Sequence, residues 1–196
     1  MLFRSAQQVV RACSEKRTGL LIAAAGFGTS GAFVSADESA EDSMLEVNCG
    51  GTLRLVLPFA KRFASQGRGG LVLMGSLVGF QGVPNAAHYA ATKAYVQTLA
   101  EGLHHELKSR GVAVVSCAPG PVRSGFGQRA DMRMSMAQSA DSVVGPTLRA
   151  LGKRCTVRPG FLSNALELSL KTLPRPLRVR MMGMIMHNMT RHQVTP

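Results

Sequence analysis

Short apolar runs recur along the chain at residues 20–25, 71–74 and 112–117. Runs of this length that are bounded by turn residues indicate buried β-strands. Residues that are apolar at consecutive positions are typical of a parallel sheet lying between two helix layers. We therefore expect both faces of the strand at residues 20–25 to be buried.

Longer segments with helical character separate these runs. They are residues 6–17, 39–65, 88–110 and 139–151, and a last short strand is predicted at residues 156–157. Pro58 should kink the second helix near residues 54–58, because proline removes a backbone hydrogen bond. Ser139 should cap the fourth helix, and Gly111 is typical of the position after the end of the third. Strands that alternate with helices predict an α/β fold with a doubly wound parallel sheet.

Ligands of such sheets bind beyond the carboxyl ends of the strands. Gly26, Ser76 and Pro119 all fall at such ends, which predicts one shared cleft. Residues 26–31 also match the spacing Gly-x-Gly-x-x-Gly. That spacing binds a pyrophosphate when a helix follows at once. Here residues 32–35 intervene before the helix-start signals at 39–42, so we interpret the stretch as a loop.

Composition adds few constraints. With 196 residues, 45% of them hydrophobic and 17% charged, the chain is typical of a globular domain. The net charge of +12 comes without tryptophan, finger-type Cys/His spacing or an RNA-binding motif, so nucleic acid is not expected as a partner. We assign the charge to a phosphate-bearing ligand, a basic C-terminal tail and solvated surface.

The cysteines are Cys13, Cys49, Cys117 and Cys155. Their wide spacing favours reduced thiols over disulfides or a metal site. The first residues do not resemble a signal peptide, and no apolar run approaches the ~20 residues that span a bilayer. These features predict a cytoplasmic location.

The candidate chemistry lies in residues 75–93. Tyr89 and Lys93 are four residues apart on a predicted helix and so share one face, while Ser76 ends a predicted strand. A nearby ammonium favours the phenolate and should lower the pKa of Tyr89 from its ordinary value near ~10. Such a phenol can exchange a proton with a carbonyl or alcohol oxygen that a serine hydroxyl orients. The hydride for that reaction must come from a cofactor.

These residues resemble the short-chain dehydrogenase/reductase family. Beyond Ser76, Tyr89 and Lys93, the chain carries Asn48 where that family has a fourth catalytic residue. Residues 119–124, with Pro119, Gly120, Val122 and Ser124, are similar to the Pro-Gly-x-Val-x-Thr segment of the family. Residues 23–26 read Ala-Ala-Ala-Gly where the family usually has Asn-Asn-Ala-Gly. The resemblance runs from about residue 9 to residue 160.

The resemblance implies a Rossmann-like domain at residues 1–160 that uses NAD(P)(H), with a slight preference for NADP. Tyr89 would be the acid/base, Ser76 would hold the substrate oxygen, and Lys93 would also bind the nicotinamide ribose. Asn48 would support a proton relay through a water on its exposed carbonyl. The cofactor-binding residues would be Ala25, Gly26, Tyr89, Lys93, Pro119, Gly120, Val122 and Ser124. No metal is implied, and a homodimer or homotetramer is expected through the helix of Tyr89 and the long helix before it.

Family members open with a strand and a glycine-rich turn that hold the pyrophosphate. No such segment precedes residue 20, so we expect an N-terminally truncated record of a longer protein. A catalytically silent binding or scaffold protein is the alternative. The truncated sheet should also expose edges and apolar faces.

Residues 121–138, with Met132, Met134 and Met136, suggest either an ordinary surface loop or a lid over an apolar substrate. Such a substrate could be a 3-oxoacyl chain or a steroid-like ketone. Residues 161–196 form a basic, methionine-rich helical tail, with an apolar helix expected at 162–173. From residue 177 on, the tail could pack on its own domain, on a sister subunit or weakly on a membrane surface. His187 and His192 should be solvated.

Overall fold

All four predicted strands are present and form one parallel sheet in the computed structural model. They are β1 (Leu20–Ala23), β2 (Gly69–Met74), β3 (Val112–Cys117) and β4 (Thr156–Val157), and they lie side by side in that order. The structure describes residues 2–160 and 172–193, so nearly all of the helix expected at 162–173 lies outside the described residues. The parallel sheet confirms the predicted α/β class.

The helices of the described residues are α1 (Leu2–Ala12), α2 (Glu38–Leu45), α3 (Thr52–Gln66), α4 (Ala87–Lys108), α5 (Phe126–Arg129), α6 (Asp141–Ala150) and α7 (Arg175–Thr190). Single turns of 3₁₀-helix occur at Phe33–Ser35, Leu77–Phe80 and Arg191–Gln193. Helix α1 ends earlier than the predicted residue 17. The residues after it form turns, with backbone hydrogen bonds such as Lys16 N to Cys13 O. In this part of the chain, no helix combines the length and apolar character that crossing a bilayer requires.

Helices cover both faces of the sheet. On one face, Phe63 of α3 and Val96 of α4 pack against Leu71 and Val114 of the central strands. On the other, Val143 of α6 packs against residues of β2, β3 and β4. Burying one such side chain contributes about 1.5–3 kcal/mol to stability. The two clusters therefore hold the carboxyl ends of the strands in fixed positions.

Strand β1 departs from the prediction of burial on both faces. Leu21 and Ala23 are buried, whereas Leu20 is 38% and Ile22 is 51% exposed. The prediction is wrong for this face because β1 forms an edge of the described sheet, while α6 packs mainly against β3 and β4 at the other side.

The predicted long helix is one helical run with an irregular middle. Helix α2 continues into a π-helical segment, Glu46–Gly51, and then into α3, which contains Pro58. The departure from α-helical bonding thus lies before Pro58, at the segment that carries Asn48. π-helical turns inside α-helices occur frequently at functional sites.

The glycine-rich stretch at residues 26–31 is a loop, as predicted. The only helical turn between β1 and α2 is Phe33–Ser35. Helix α2 then begins at Glu38, where the side chain of Asp37 accepts a hydrogen bond from Ala40 N (3.0 Å). Because no α-helix follows Gly31 directly, the stretch cannot present a helix N-terminus to a pyrophosphate.

Candidate active site

A cavity of about 490 Å³ opens at the carboxyl ends of the first three strands. Ala24 and Gly26 reach it after β1, Ser76 after β2, and Pro119 after β3. Tyr89 and Lys93 of α4 complete its polar side. The structure therefore brings the three residues of the predicted trio to one hollow.

Helix α4 positions Tyr89 and Lys93 on its buried face, and each is 6% exposed. The Tyr89 ring packs on Phe126 with the ring centroids 5.4 Å apart. Lys93 Nζ donates a hydrogen bond to the carbonyl of Met74 (2.9 Å) and lies 5.9 Å from the centroid of the Tyr89 ring. The ammonium is thus held by the end of β2, beside the phenol.

Ser76 lies two residues after the end of β2, where the backbone leaves the sheet. Its hydroxyl accepts a long hydrogen bond from Val78 N (3.4 Å) and so caps the 3₁₀ turn Leu77–Phe80. The same side chain is close enough to Tyr89 to favour the phenolate through a hydrogen bond. The serine and the phenol can therefore contact one substrate oxygen.

The pKa values of the trio differ from the expectation. Burial raises the pKa of Tyr89 to about 12, and the hydrogen bond with Ser76 offsets this only in part. Burial lowers the pKa of Lys93 to about 8, against a smaller opposing effect of Cys49. The expected lowering of the Tyr89 pKa by Lys93 is wrong, because burial is the largest influence on the phenol and raises its pKa. Near neutral pH the phenol holds its proton and Lys93 is mostly charged.

Asn48 lies behind the cavity and does not line it. The residue is 1% exposed, and its carbonyl accepts a hydrogen bond from Thr52 Oγ1 (2.7 Å). The expectation of an exposed carbonyl is therefore wrong, since the π-helical segment buries it against α3. A proton relay through Asn48 stays a prediction.

Gly26 lies between two groups of the site. A Cβ at this position would lie 2.9 Å from Asn48 Oδ1 and 3.3 Å from Lys93 Nζ. Any side chain would therefore displace the amide or the ammonium. The neighbouring Ala25 is exposed and is not among the cavity-lining residues, so the structure does not bring it to the site.

The segment after β3 supplies another part of the wall. Pro119 lines the cavity, as predicted for one shared cleft, and Gly120, Val122 and Ser124 line it as well. Val122 pairs with Gln138 in an isolated parallel bridge, which closes residues 122–138 into a loop. The hydroxyl of Ser124 accepts a hydrogen bond from Phe126 N (3.3 Å) and so supports the start of α5.

The remaining wall is apolar and comes from several segments of the chain. Its residues include Ile22, Val72, Met74, Leu77, Val78, Phe126, Met132, Met134, Val143, Val144, Leu148, Met182, Ile185, Met186 and Met189. Met136 of the predicted lid does not belong to it and is 70% exposed. Sequence reasoning missed the contribution of α7, although its apolar residues at 182, 185, 186 and 189 have the spacing of one helix face. Met182 and Met186 are buried against the same cluster as Tyr89, so α7 packs on its own domain.

The C-terminal turn fastens this wall to the rest of the site. Gln193 Nε2 donates hydrogen bonds to Ser30 Oγ (2.9 Å) and to the carbonyl of Asp131 (2.7 Å). His192 Nε2 lies 2.9 Å from Asp131 Oδ1, and this hydrogen bond holds the pKa of Asp131 below its ordinary value. The prediction that His192 is solvated is wrong because it pairs with the loop after α5, whereas His187 is exposed.

Comparison with known proteins identifies a family whose model matches this chain. The family model described as short chain dehydrogenase matches residues 3–134. An uncharacterized oxidoreductase of Staphylococcus saprophyticus is 33% identical over 103 residues, which are 53% of this chain and 44% of the relative. The chain thus spans less than half the length of that curated relative.

Solved structures support the same assignment. A short-chain dehydrogenase from Sphingobium yanoikuyae, solved in complex with NADPH, matches with a TM-score of 0.72 at 27% identity, over 88% of this chain and 71% of that one. A bulky-bulky ketone specific alcohol dehydrogenase from Comamonas testosteroni matches with a TM-score of 0.68 at 28% identity, over 88% and 70%.

Proposed function

We propose, from the premise that this chain belongs to the short-chain dehydrogenase family, that it interconverts an apolar ketone and its secondary alcohol with NAD(P)(H). The observation that carries this proposal is the single cavity lined by Ser76, Tyr89 and Lys93 on one side and by methionines on the other. The polar side suits proton transfer to an oxygen, and the apolar side suits a hydrophobic substrate.

The residues present fit the nicotinamide end of the cofactor. Gly26 keeps the space beside Lys93 Nζ free of a side chain. Pro119, Gly120, Val122 and Ser124 also line the cavity and contribute mostly apolar groups with one side-chain hydroxyl. When bound, the cofactor supplies or accepts the hydride. The NADPH complex of the Sphingobium relative supports a slight preference for NADP.

Each residue of the trio has a separate task in ketone reduction. Tyr89, whose raised pKa keeps it protonated at neutral pH, donates its proton to the carbonyl oxygen. Ser76 donates a hydrogen bond to the same oxygen and orients it. The charged Lys93 stabilises the phenolate that remains, while its bond to Met74 O holds it in place.

The apolar wall limits the substrate class. A cavity lined by methionines adapts to different shapes, because the side chain is unbranched and polarizable. A 3-oxoacyl chain or a steroid-like ketone would place its carbonyl at Tyr89 and its hydrocarbon against α5 and α7. The ketone specificity of the Comamonas relative supports this class.

We expect two copies to pair through α3 and α4. Both helices leave apolar side chains exposed, with Leu57 at 48%, Leu53 at 42% and Tyr95 at 37% exposure. Light scattering should give a homodimer or homotetramer, and a monomer at high concentration would contradict the pairing.

The chain is tested with NADPH and a series of ketones of increasing hydrocarbon length. Loss of NADPH absorbance should depend on the ketone, with KM falling as the hydrocarbon lengthens, because each buried methylene adds about 0.8 kcal/mol. Calorimetry with NADPH in the same buffer measures cofactor binding separately. If NADPH produced no binding heat and no ketone were turned over, the proposal would be overturned and a catalytically silent binding protein would be favoured.

A further inference from the structure

Thr92 lies between Tyr89 and Lys93 in the sequence but faces away from the cavity. Its hydroxyl donates a hydrogen bond to the carbonyl of Tyr89 (2.8 Å) and accepts one from Asn48 Nδ2 (2.9 Å). Thr92 and Asn48 are each 1% exposed. The hydroxyl therefore joins the π-helical segment to α4 where water has almost no access.

Asn48 connects this bridge to the loop after β1. Its Nδ2 also donates to the carbonyl of Phe27 (2.9 Å), and its Oδ1 accepts from Phe27 N (3.1 Å). Both N–H groups of the amide thus have an acceptor, one in the loop and one on Thr92. Removing the Thr92 hydroxyl would leave one buried N–H without its partner, which is costly.

The loop that Asn48 holds lies directly on the reactive side chains. A Cβ at Gly28 would lie 3.3 Å from Cδ2 of the Tyr89 ring, and one at Gly26 would lie 3.3 Å from Lys93 Nζ. A small movement of the loop would therefore change how much water reaches the phenol and the ammonium.

We propose that Thr92 is a positioning residue: through the Asn48 amide, its hydroxyl fixes the loop at residues 26–28 against Tyr89 and Lys93. The role of Tyr89 and Lys93 rests on the proposed function, but the mechanical link rests on the hydrogen bonds alone. Threonine at this position thus acts on the reaction without touching substrate or cofactor.

The test compares Thr92→Val, Thr92→Ser and the matched control Thr190→Val in the full chain. Thr190 is also a buried helix threonine, 2% exposed, whose hydroxyl donates to Met186 O (3.0 Å). Hydrogen exchange of the Phe27 amide, which donates to Asn48 Oδ1, should speed up about 10-fold in Thr92→Val, the ratio expected for the loss of one hydrogen bond. Thr92→Ser and Thr190→Val should exchange at the original rate.

Turnover supplies a second readout. In Thr92→Val, the pH at which ketone reduction falls off should move upward from about 8, because hydration brings the Lys93 pKa back toward its ordinary value. The Ser variant should restore the original profile. A purely structural role would lower the rate without moving the profile.

The outcomes separate this inference from the proposed function. Faster Phe27 exchange in a chain that never turns over a ketone would support the link and refute the enzyme. Unchanged Phe27 exchange in Thr92→Val, or equal exchange in Thr92→Val and Thr92→Ser, would overturn the link. Thr92→Ala replaces Thr92→Val if the valine variant does not fold.

Discussion

The two sides of the cavity are built in different ways. The polar side is fixed by directed hydrogen bonds, such as Lys93 Nζ to Met74 O and Asn48 to Phe27. The apolar side includes five unbranched methionines from α7 and the loop at residues 122–138. Hydrogen bonds have narrow geometry, whereas thioether side chains fill irregular gaps. The polar side is therefore suited to one reaction and the apolar side to a range of substrate shapes.

The same division follows the family match. The model for the family covers residues 3–134, which include Ser76, Tyr89 and Lys93, and stops before α7. The chemistry thus lies in the part of the chain that family members share. The wall from α7 lies outside the residues that the family model matches.

The largest expected effect comes from Tyr89→Phe, which removes the phenolic proton and leaves the ring in place. Turnover should fall about 1000-fold, as expected for loss of a general acid, while the dissociation constant of NADPH stays within about 2-fold. Steady-state kinetics and calorimetry measure the two quantities. Tyr95→Phe on the same helix is the matched control, because Tyr95 is 37% exposed and lies outside the cavity lining. If Tyr89→Phe retained its turnover, Tyr89 would not be the proton donor, and the polar side of the cavity would lose the role that distinguishes it from the apolar side.

The second prediction concerns the free energy of unfolding, which the burial of the charged Lys93 lowers. The pKa of Lys93 is lowered from 10.5 to about 8 in the folded chain, so above that pH the unfolded chain binds the extra proton. The contribution of Lys93 to the free energy of unfolding should therefore rise by about 2 kcal/mol between pH 7 and 9.5. Urea unfolding measures it.

Lys93→Met should abolish this rise, whereas Lys153→Met, at an exposed position, should keep it. An equal rise in both variants would show that the pH dependence has another source. Above about pH 10, the raised pKa of Tyr89 works in the opposite direction, since the folded phenol then retains a proton that the unfolded one loses.

The apolar side is tested with Met186→Ala against Met184→Ala on the same helix. Met186 is 3% exposed and lines the cavity, whereas Met184 is 60% exposed. In Met186→Ala, the ratio of kcat/KM between a long and a short ketone should change about 10-fold, the usual range for altered apolar packing in a pocket. A similar ratio in both variants would show that α7 does not select the substrate.

The smallest effect is expected at the C-terminal turn. Gln193→Ala removes the bonds to Ser30 and Asp131 that fasten α7 to the loop. KM for the long ketone should rise about 5-fold, with kcat unchanged, because a hydrogen bond contributes about 1 kcal/mol. Gln128→Ala, at an exposed site on α5, should leave KM unchanged. A fall in kcat with KM unchanged would instead show that the turn affects the polar side of the cavity, where the reaction takes place.

Much of this arrangement could be predicted from local pattern. The apolar runs predicted three of the four strands, and the alternation of strands with helices predicted the parallel sheet. Because the carboxyl ends of parallel strands share one edge of the sheet, the placement of Gly26, Ser76 and Pro119 just after predicted strands also predicted that they would meet. An exposed edge and apolar face of the sheet were predicted, but not that Leu20 and Ile22 of β1 form this face, since burial depends on which helix covers a strand and not on the strand itself.

The sequence by itself determined the reactive groups, because a tyrosine and a lysine four residues apart on a helix must share a face. Only the tertiary structure decided their pKa values, since desolvation depends on what packs around them and is here the largest influence on both. It also decided that α7 closes the cavity and that Asn48 and Thr92 hold the loop. Those contacts join residues far apart in the chain, and no local periodicity encodes which distant segments meet.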